Sequence, residues 1–294
     1  MKWHRPSGTA LVLVWLIAAP SAPAQTPRAS WLDKGHYSFS NWAGPAIRLF
    51  YSMPPAAGPE TPILIVVPGA KRNADFYRDA WHDLALAGGF IVLAVEGKET
   101  DFPSEYAYNA GGVITPQGKP VPEEEWTYSA IELLFDDFKQ QFGSKRKKYS
   151  LYGHSAGGQF VHTYLLFKPE ARVERAVAAN PAFCMMLNSD QPYPFGRTGA
   201  PLPPGAVKKW LQSPTVLLLG ELDTNPRTRT LSDGVRARAQ GPHVFALGLR
   251  FYHGALVAAK ENEVPLAWKL EVVQNVGHSN SHVASHAVKY LFGR

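Results

Sequence analysis

The stretch YSLYGHSAGGQF, residues 149–160, changes abruptly from a hydrophobic run to the small residues at positions 153–157. Those five residues have the form Gly-x-Ser-x-Gly. They follow a strand-like segment and precede one with helical spacing, which is the setting of a nucleophile elbow. On so sharp a turn, side chains at 153 or 157 would collide with neighbouring backbone, which explains the two glycines. The sequence therefore predicts that Ser155 is an exposed nucleophile, with His154 as the variable position of the motif.

A serine hydroxyl is a poor nucleophile at neutral pH, so it needs a base within hydrogen-bond reach and a carboxylate that orients this base. Both residue types follow Ser155, with the acid first. Asp223 comes just after the strand-like run PTVLLL, and His278 lies in a Gly-His-Ser turn just after the run KLEVV. We favour Asp223 over Glu221 because it lies far enough past the strand to fold back over the sheet edge. An Asp-Thr-Asn-Pro stretch is also typical of a helix N-cap, and that alternative stays open.

Short apolar runs recur along the chain with amphipathic segments between them. Eight runs are typical of strands, at residues 37–40, 47–51, 63–67, 90–95, 149–152, 173–179, 215–219 and 269–273. Six segments have helical spacing, at residues 75–87, 126–142, 156–167, 227–240, 243–260 and 281–292. This alternation predicts an α/β fold with an eight-stranded, mostly parallel sheet covered by helices on both faces.

Two long stretches interrupt the alternation. Residues 97–125 are rich in Gly, Pro and acidic residues, and residues 183–211 contain five prolines between positions 192 and 204. Loops longer than about 15 residues are uncommon in compact domains unless they have a function. Both follow strand ends, so we expect two insertions at the carboxyl edge of the sheet, where open α/β sheets bind ligands. Tyr108 and Trp126, near the first insertion, are candidates for substrate contact, although core packing explains either equally well.

Acyl transfer also needs two N–H donors aimed at the developing oxyanion. Ala156, the residue after the nucleophile, is expected to supply the first. The second should come from the loop after the third strand, in VVPGAKRNADFYRDAW (residues 66–81), with Ala70 as first choice and Lys71 as second. Lys71 or Arg72 could instead contact an anionic part of a substrate. The plainer role for Arg72 is to hold this loop and the helix that follows it.

The first residues have the features of an export signal. Lys2 and Arg5 precede an apolar run at residues 10–19, and residues 22–24 resemble a cleavage site. The apolar run is about half the roughly 20 residues that a membrane-spanning helix needs. We therefore expect a secreted or periplasmic protein with no stable membrane insertion after cleavage. The expected organisation is a signal peptide (1–24), a mobile lead-in (25–35) and a single catalytic domain (36–294).

Composition argues against several other classes of function. Removal of Lys2 and Arg5 with the expected signal peptide lowers the formal net charge from +6 to +4, which is a mild excess. The densest basic run, residues 145–148, has no interleaved aromatic residues. We interpret it as a solvated loop and expect no nucleic-acid partner. Cys184 is the only cysteine, so no internal disulfide can form. His282 and His286 follow His278 at four-residue spacing, but no carboxylate or cysteine completes a zinc site, and we expect neither metal nor organic cofactor.

The segment RNADFYRD at residues 72–79, together with GHSAGG and GELD, resembles α/β-hydrolases of the serine esterase type. The chain is similar to exported bacterial hydrolases related to polyhydroxybutyrate depolymerases and feruloyl esterases. The resemblance runs from about residue 36 to the end of the chain. It implies cleavage of a small-molecule or oligomeric carboxylic ester through an acyl-enzyme.

The chain departs from this pattern at two points. Pro68 replaces a histidine that commonly braces the oxyanion loop, which leaves the second oxyanion donor open. The lone cysteine also excludes the disulfides found in many secreted depolymerases. Two other functions remain as alternatives: a serine peptidase with the same triad, and a noncatalytic binding protein of this fold. The binding protein would be expected to have a broken triad, whereas this sequence retains all three members. The sequence makes no prediction of oligomeric state.

Overall fold

The computed structural model describes Met1 and residues 31–187, 191–226 and 235–293. Apart from Met1, the predicted signal peptide lies outside the described residues, as does most of the predicted lead-in. Within the described residues eight strands occur: β1 (Lys34–Phe39), β2 (Ile47–Ser52), β3 (Ile63–Val67), β4 (Ile91–Glu96), β5 (Tyr149–His154), β6 (Val173–Ala179), β7 (Thr215–Gly220) and β8 (Lys269–Val273). Each corresponds to one of the eight predicted runs.

The strands form one sheet in the order β1-β2-β4-β3-β5-β6-β7-β8. β1 pairs with β2 and β2 with β4 in antiparallel fashion, whereas all pairs from β4 through β3 to β8 are parallel. The crossover between β3 and β4 places β3 beside β5, so the loops that follow these two strands meet at the carboxyl edge. The predicted fold class, an α/β-hydrolase fold with an eight-stranded and mostly parallel sheet, is confirmed.

The described helices are α1 (Ala74–Gly88), α2 (Thr127–Phe142), α3 (Ala156–Phe167), α4 (Ala206–Leu211), α5 (Val235–Ala239), α6 (Val244–Glu261) and α7 (Asn280–Phe292). Glycines end three of them: Gly89 after α1, Gly143 after α2 and Gly293 after α7 all adopt the left-handed conformation that terminates helices. The sequence predicted a helix at residues 227–240. Residues 227–234 of this range lie outside the described residues, and α5 occupies the part that follows. The sequence did not predict α4.

Two hydrophobic cores lie on opposite faces of the sheet. Successive residues of a strand point to opposite faces, so Leu64 of β3 packs with α1 and α7, while Ile65 packs with α2, α3 and α6. All five residues of β3 are buried, as expected for a central strand covered on both sides.

The two interruptions in the sequence pattern are insertions that begin beyond the carboxyl ends of β4 and β6. The first contains a short 3-10 turn (Glu123–Glu125), and the second contains α4. In the part of the chain that the structure describes, no helix is long and apolar enough to cross a membrane.

Candidate active site

Ser155 lies on a strained turn between β5 and α3. Its φ of 60° and ψ of −118° place a non-glycine residue at positive φ, a conformation that costs of the order of 1–3 kcal/mol. Its backbone is fixed on both sides, because its N–H donates to Ala179 O at 3.0 Å and its carbonyl accepts from Gln159 N at 3.1 Å. The turn leaves the Ser155 side chain partly exposed at the carboxyl edge of the sheet.

The two glycines of the motif are required by the packing around this turn. A β-carbon added to Gly157 would lie 1.9 Å from Val67 O, and one added to Gly153 would lie 2.1 Å from Gly157 O. Neither neighbour is a movable side chain, since both are backbone carbonyls. The close approach of β3, β5 and α3 at this point therefore explains Gly-x-Ser-x-Gly.

His278 and Asp223 meet beyond the ends of β8 and β7. His278 Nδ1 lies 2.6 Å from Asp223 Oδ2, and the Asp223 side chain is buried while His278 is 39% exposed. Glu221 does not share this contact. Its side chain is exposed, and its carboxylate accepts from the Asn275 N–H at 2.9 Å. The structure thus places Asp223, and not Glu221, at the histidine.

Ser155 and His278 open onto the same cleft, which has a volume of about 560 Å³. Its walls come from the loop after β3, the start of α1, the elbow and the start of α7. The lining residues are Gly69, Ala70, Lys71, Asn73, Phe76, Tyr77, His154, Ser155, His278, Ser279, Asn280 and Ser281. Ser155 and His278 line this cleft, and the buried carboxylate of Asp223 lies behind His278. A carboxylate, an imidazole and a serine hydroxyl are the groups needed for nucleophilic catalysis.

The candidate oxyanion residues lie at or beside this cleft. Ala70 and Lys71 are exposed and line it, on a turn closed by a hydrogen bond from Arg72 N to Gly69 O at 2.9 Å. Ala156 is the first residue of α3, where backbone N–H groups have no acceptor inside the helix. The positive end of the α3 dipole therefore lies next to Ser155.

The three other candidates for substrate contact do not line this cleft. The Arg72 guanidinium is buried and donates to the carbonyls of Gly97, Phe102 and Ser104 in the first insertion. Tyr108 is buried beneath Arg72, and the centre of the Tyr108 ring lies 4.6 Å from Arg72 Cζ. The Tyr108 hydroxyl donates to Pro68 O at 2.8 Å.

Trp126 is buried as well, and its indole N–H donates to Val121 O at 2.8 Å. Arg72, Tyr108 and Trp126 thus lie outside the lining of this cleft, and each directs its polar atoms at backbone carbonyls. A contact between these residues and a substrate stays a prediction. Their contacts hold the first insertion against the loop after β3 and against α2.

Three residues to which the sequence assigned no catalytic role form a hydrogen-bonded group next to Ser155, and two of them, Tyr77 and His154, line the cleft. His154 is buried and its ring packs against that of His278 with centroids 4.6 Å apart. Its Nδ1 is 3.2 Å from Tyr77 Oη, and its Nε2 is 3.5 Å from Asn180 Nδ2. Burial, assisted by repulsion from His278, holds the pKa of His154 well below its usual range, so this imidazole is neutral.

Within the described residues, no group of three or more His, Cys, Asp and Glu side chains is arranged to hold a metal ion.

No protein-family model and no curated protein matches this sequence, but solved structures do. The chain is 40% identical to poly(aspartic acid) hydrolase-1 from Sphingomonas sp. KT-1, with a TM-score of 0.85 over 88% of this chain and 98% of that one. It is 27% identical to LpqC, a poly(3-hydroxybutyrate) depolymerase from Bordetella parapertussis, with a TM-score of 0.83 over 89% and 90% of the two chains. An S-formylglutathione hydrolase from Agrobacterium tumefaciens shares the fold at 17% identity and a TM-score of 0.57, over 88% and 92%.

Proposed function

The chain belongs to the α/β-hydrolase family and is a hydrolase, and we propose that it cleaves carboxylic esters through an acyl-enzyme formed on Ser155. The observation that carries the proposal is the 2.6 Å contact between His278 and the buried carboxylate of Asp223, at the cleft that also contains Ser155. A surface histidine with no role in catalysis has no need of a buried carboxylate partner. Burial strengthens the interaction of that carboxylate with a positive charge forming on the imidazole.

The proposed reaction begins with the attack of Ser155 Oγ on the ester carbonyl carbon. The carbonyl π electrons move to oxygen, and His278 Nε2 takes the serine proton. Asp223 accepts from His278 Nδ1–H, which fixes the tautomer in which Nε2 is free to act as a base. The carbonyl bond then re-forms as the ester C–O bond breaks, and His278 gives the proton to the leaving oxygen, which departs as the alcohol. Water, deprotonated by His278, attacks the acyl-enzyme in the same way, the Ser155 Oγ–acyl bond breaks, and His278 returns the proton to Ser155 as the acid leaves.

The negative charge on the carbonyl oxygen needs donors that are already in position. We assign the backbone N–H of Ala156 as the first, supported by its place at the start of α3. For the second we assign the backbone N–H of Ala70, with Lys71 as the alternative, since both residues line the cleft on the loop after β3.

A second candidate function is cleavage of the amide bonds of an acidic polymer. The observation that favours it is the 40% identity to a poly(aspartic acid) hydrolase over nearly the whole of that chain. The exposed Lys71 on the wall of the cleft is consistent with a substrate that carries carboxylates. Amide cleavage would use the same triad, with the amine in place of the alcohol as leaving group.

The test compares the wild-type protein with Ser155→Ala on three substrates: p-nitrophenyl esters from acetate to decanoate, a chromogenic peptide and poly(aspartic acid). We expect ester hydrolysis by the wild type and none by the variant, with the chain-length profile reporting the size of the pocket. Shortening of poly(aspartic acid) on size-exclusion chromatography, with slow ester turnover, would favour the second function, and peptide cleavage alone would favour a peptidase. Equal activity in both proteins would contradict the triad, and a folded wild type inactive on all three would support a binding protein.

We also propose that the protein is exported and acts in the periplasm or outside the cell. The proposal rests on the charged start, apolar run and cleavage-like residues of positions 1–24. N-terminal sequencing of the protein recovered from the periplasm or medium should begin at Gln25. Recovery of the intact chain from the cytoplasm alone would contradict export.

A further inference from the structure

The hydrogen bonds of Asn180 determine which nitrogen of His154 carries its proton. Asn180 Oδ1 accepts from the Gly220 N–H at 2.7 Å, which fixes the orientation of the Asn180 amide. Its Nδ2 therefore faces His154 Nε2, at 3.5 Å, as a donor. A neutral imidazole that accepts at Nε2 carries its proton on Nδ1. His154 Nδ1–H must then donate to Tyr77 Oη, at 3.2 Å.

The loop that follows β3 approaches the same oxygen closely, since a β-carbon added to Gly69 would lie 2.8 Å from Tyr77 Oη. A hydroxyl oxygen that accepts a hydrogen bond from His154 does not spend its own proton on that histidine. The hydroxyl proton of Tyr77 is therefore directed away from His154 and is available as a donor.

Tyr77 places this hydroxyl at the cleft, beside the nucleophile. A β-carbon added to Gly69 would lie 2.8 Å from Tyr77 Oη and 3.4 Å from Ser155 Cβ, so the two side chains border the same point. Both also line the cleft. Burial, opposed by the nearby backbone N–H of Gly69, raises the pKa of Tyr77 to about 12, so the hydroxyl stays protonated at any pH at which the fold is expected to work.

From this geometry we propose that the Tyr77 hydroxyl is a catalytic donor to the oxyanion that forms when Ser155 attacks its substrate. The inference rests on the serine mechanism proposed above. During the attack the Ser155 Oγ–carbon bond forms and the carbonyl π bond opens onto oxygen. Tyr77 keeps its proton throughout and stabilises the charge by hydrogen bonding. A side-chain donor at this point supplements the backbone donors where Pro68 stands in place of the usual histidine.

The test uses Tyr77→Phe, which removes only the hydroxyl, with Tyr164→Phe as the matched control. Tyr164 is equally buried, and its hydroxyl bonds to Tyr149 and Glu132, which lie outside the cleft lining. With a p-nitrophenyl ester that Ser155→Ala does not hydrolyse, Tyr77→Phe should lower kcat by tenfold to about 10²-fold and change KM less than twofold. An alkyl trifluoromethyl ketone, which forms a tetrahedral oxyanion on serine, should bind more weakly by the same factor. Tyr164→Phe should change neither value.

A spectroscopic measurement separates donation to the oxyanion from a purely structural role. With 3-fluorotyrosine at position 77, adding the trifluoromethyl ketone should shift the ¹⁹F resonance of the tyrosine, and the same addition to the Ser155→Ala background should not. This readout also serves if Tyr77→Phe fails to fold.

An unchanged kcat in folded Tyr77→Phe, or a loss confined to KM, would overturn the inference, as would an unshifted fluorine resonance in an inhibited enzyme. Each of these results leaves the serine mechanism intact. Activity that survives Ser155→Ala would instead refute the proposed function itself.

Discussion

Acid should destabilise this fold because His162, a buried histidine outside the cleft lining, binds a proton when the chain unfolds. The substitution His162→Leu should therefore reduce the loss of stability at low pH. His162 is fully buried on α3, and its ring packs 4.7 Å from that of Phe251. Within the described residues its Nε2 has no hydrogen-bond partner. Burial, partly opposed by the nearby backbone carbonyl of Phe183, lowers the pKa of His162 to about 3.

The sign and size of the effect follow from proton linkage. Below its unfolded-state pKa of about 6.5 the histidine binds a proton when the chain unfolds, but not in the native state. The free energy of unfolding therefore falls as the pH drops from about 6.5 toward 3. The contribution of His162 to this loss is about 0.8 kcal/mol at pH 6 and about 2 kcal/mol at pH 5, and close to zero at pH 7.5.

The assay is urea unfolding of the wild type and His162→Leu at pH 7.5, 6 and 5. The difference in unfolding free energy between the two proteins should shift by about 2 kcal/mol in favour of the variant between pH 7.5 and pH 5. The matched control is His253→Leu on the exposed face of α6, for which the difference should not change with pH. Equal losses of unfolding free energy between pH 7.5 and 5 in the wild type and in His162→Leu would refute the reasoning.

Three further substitutions test the site and its supports. Asp223→Asn should leave the melting temperature nearly unchanged but lower kcat on esters by about 10⁴-fold, because the imidazole loses the acceptor that fixes its tautomer; a loss under tenfold would argue against the pairing. Gly157→Ala would place a methyl group 1.9 Å from Val67 O, so it should cost at least about 3 kcal/mol in urea unfolding and abolish turnover, and near-normal stability would contradict the packing described. Arg72→Leu should cost about 2 kcal/mol or more by leaving buried carbonyls unpaired, without a raised KM in variants that still fold. A raised KM with unchanged stability would instead support a role of Arg72 in substrate binding.

The sequence predicted the sheet and the elbow because both depend on short-range patterns. Hydrophobic runs identified all eight strands, including β3, where burial on both faces requires an unbroken apolar segment. The elbow was predictable because its two glycines meet backbone within a few residues and on the adjacent strand. By contrast, α4 is only six residues long and follows a proline-rich stretch, so its period was too short to detect.

The arrangement around Tyr77 could not be predicted in the same way. Tyr77 and His154 are 77 residues apart, and neither position carries a local pattern that marks the pair. The partners of Arg72 were equally hard to predict. Its charge and its position after β3 allowed either a role in holding the loop or a substrate contact, and the structure, with φ 56° at Arg72, places its side chain beneath the first insertion. Such contacts depend on how α1 crosses the sheet, which the periodicity of the sequence does not specify.

The central claim is that Ser155 forms a covalent intermediate, and active-site labelling tests it most directly. The protein is incubated with a fluorophosphonate, digested and analysed by tandem mass spectrometry, beside Ser155→Ala and Asp223→Asn. We predict one stoichiometric adduct on Ser155, loss of ester hydrolysis in proportion to labelling, no adduct in Ser155→Ala and much slower labelling in Asp223→Asn. Full activity in a protein labelled at Ser155, or an adduct at another residue that accounts for the inactivation, would contradict the account.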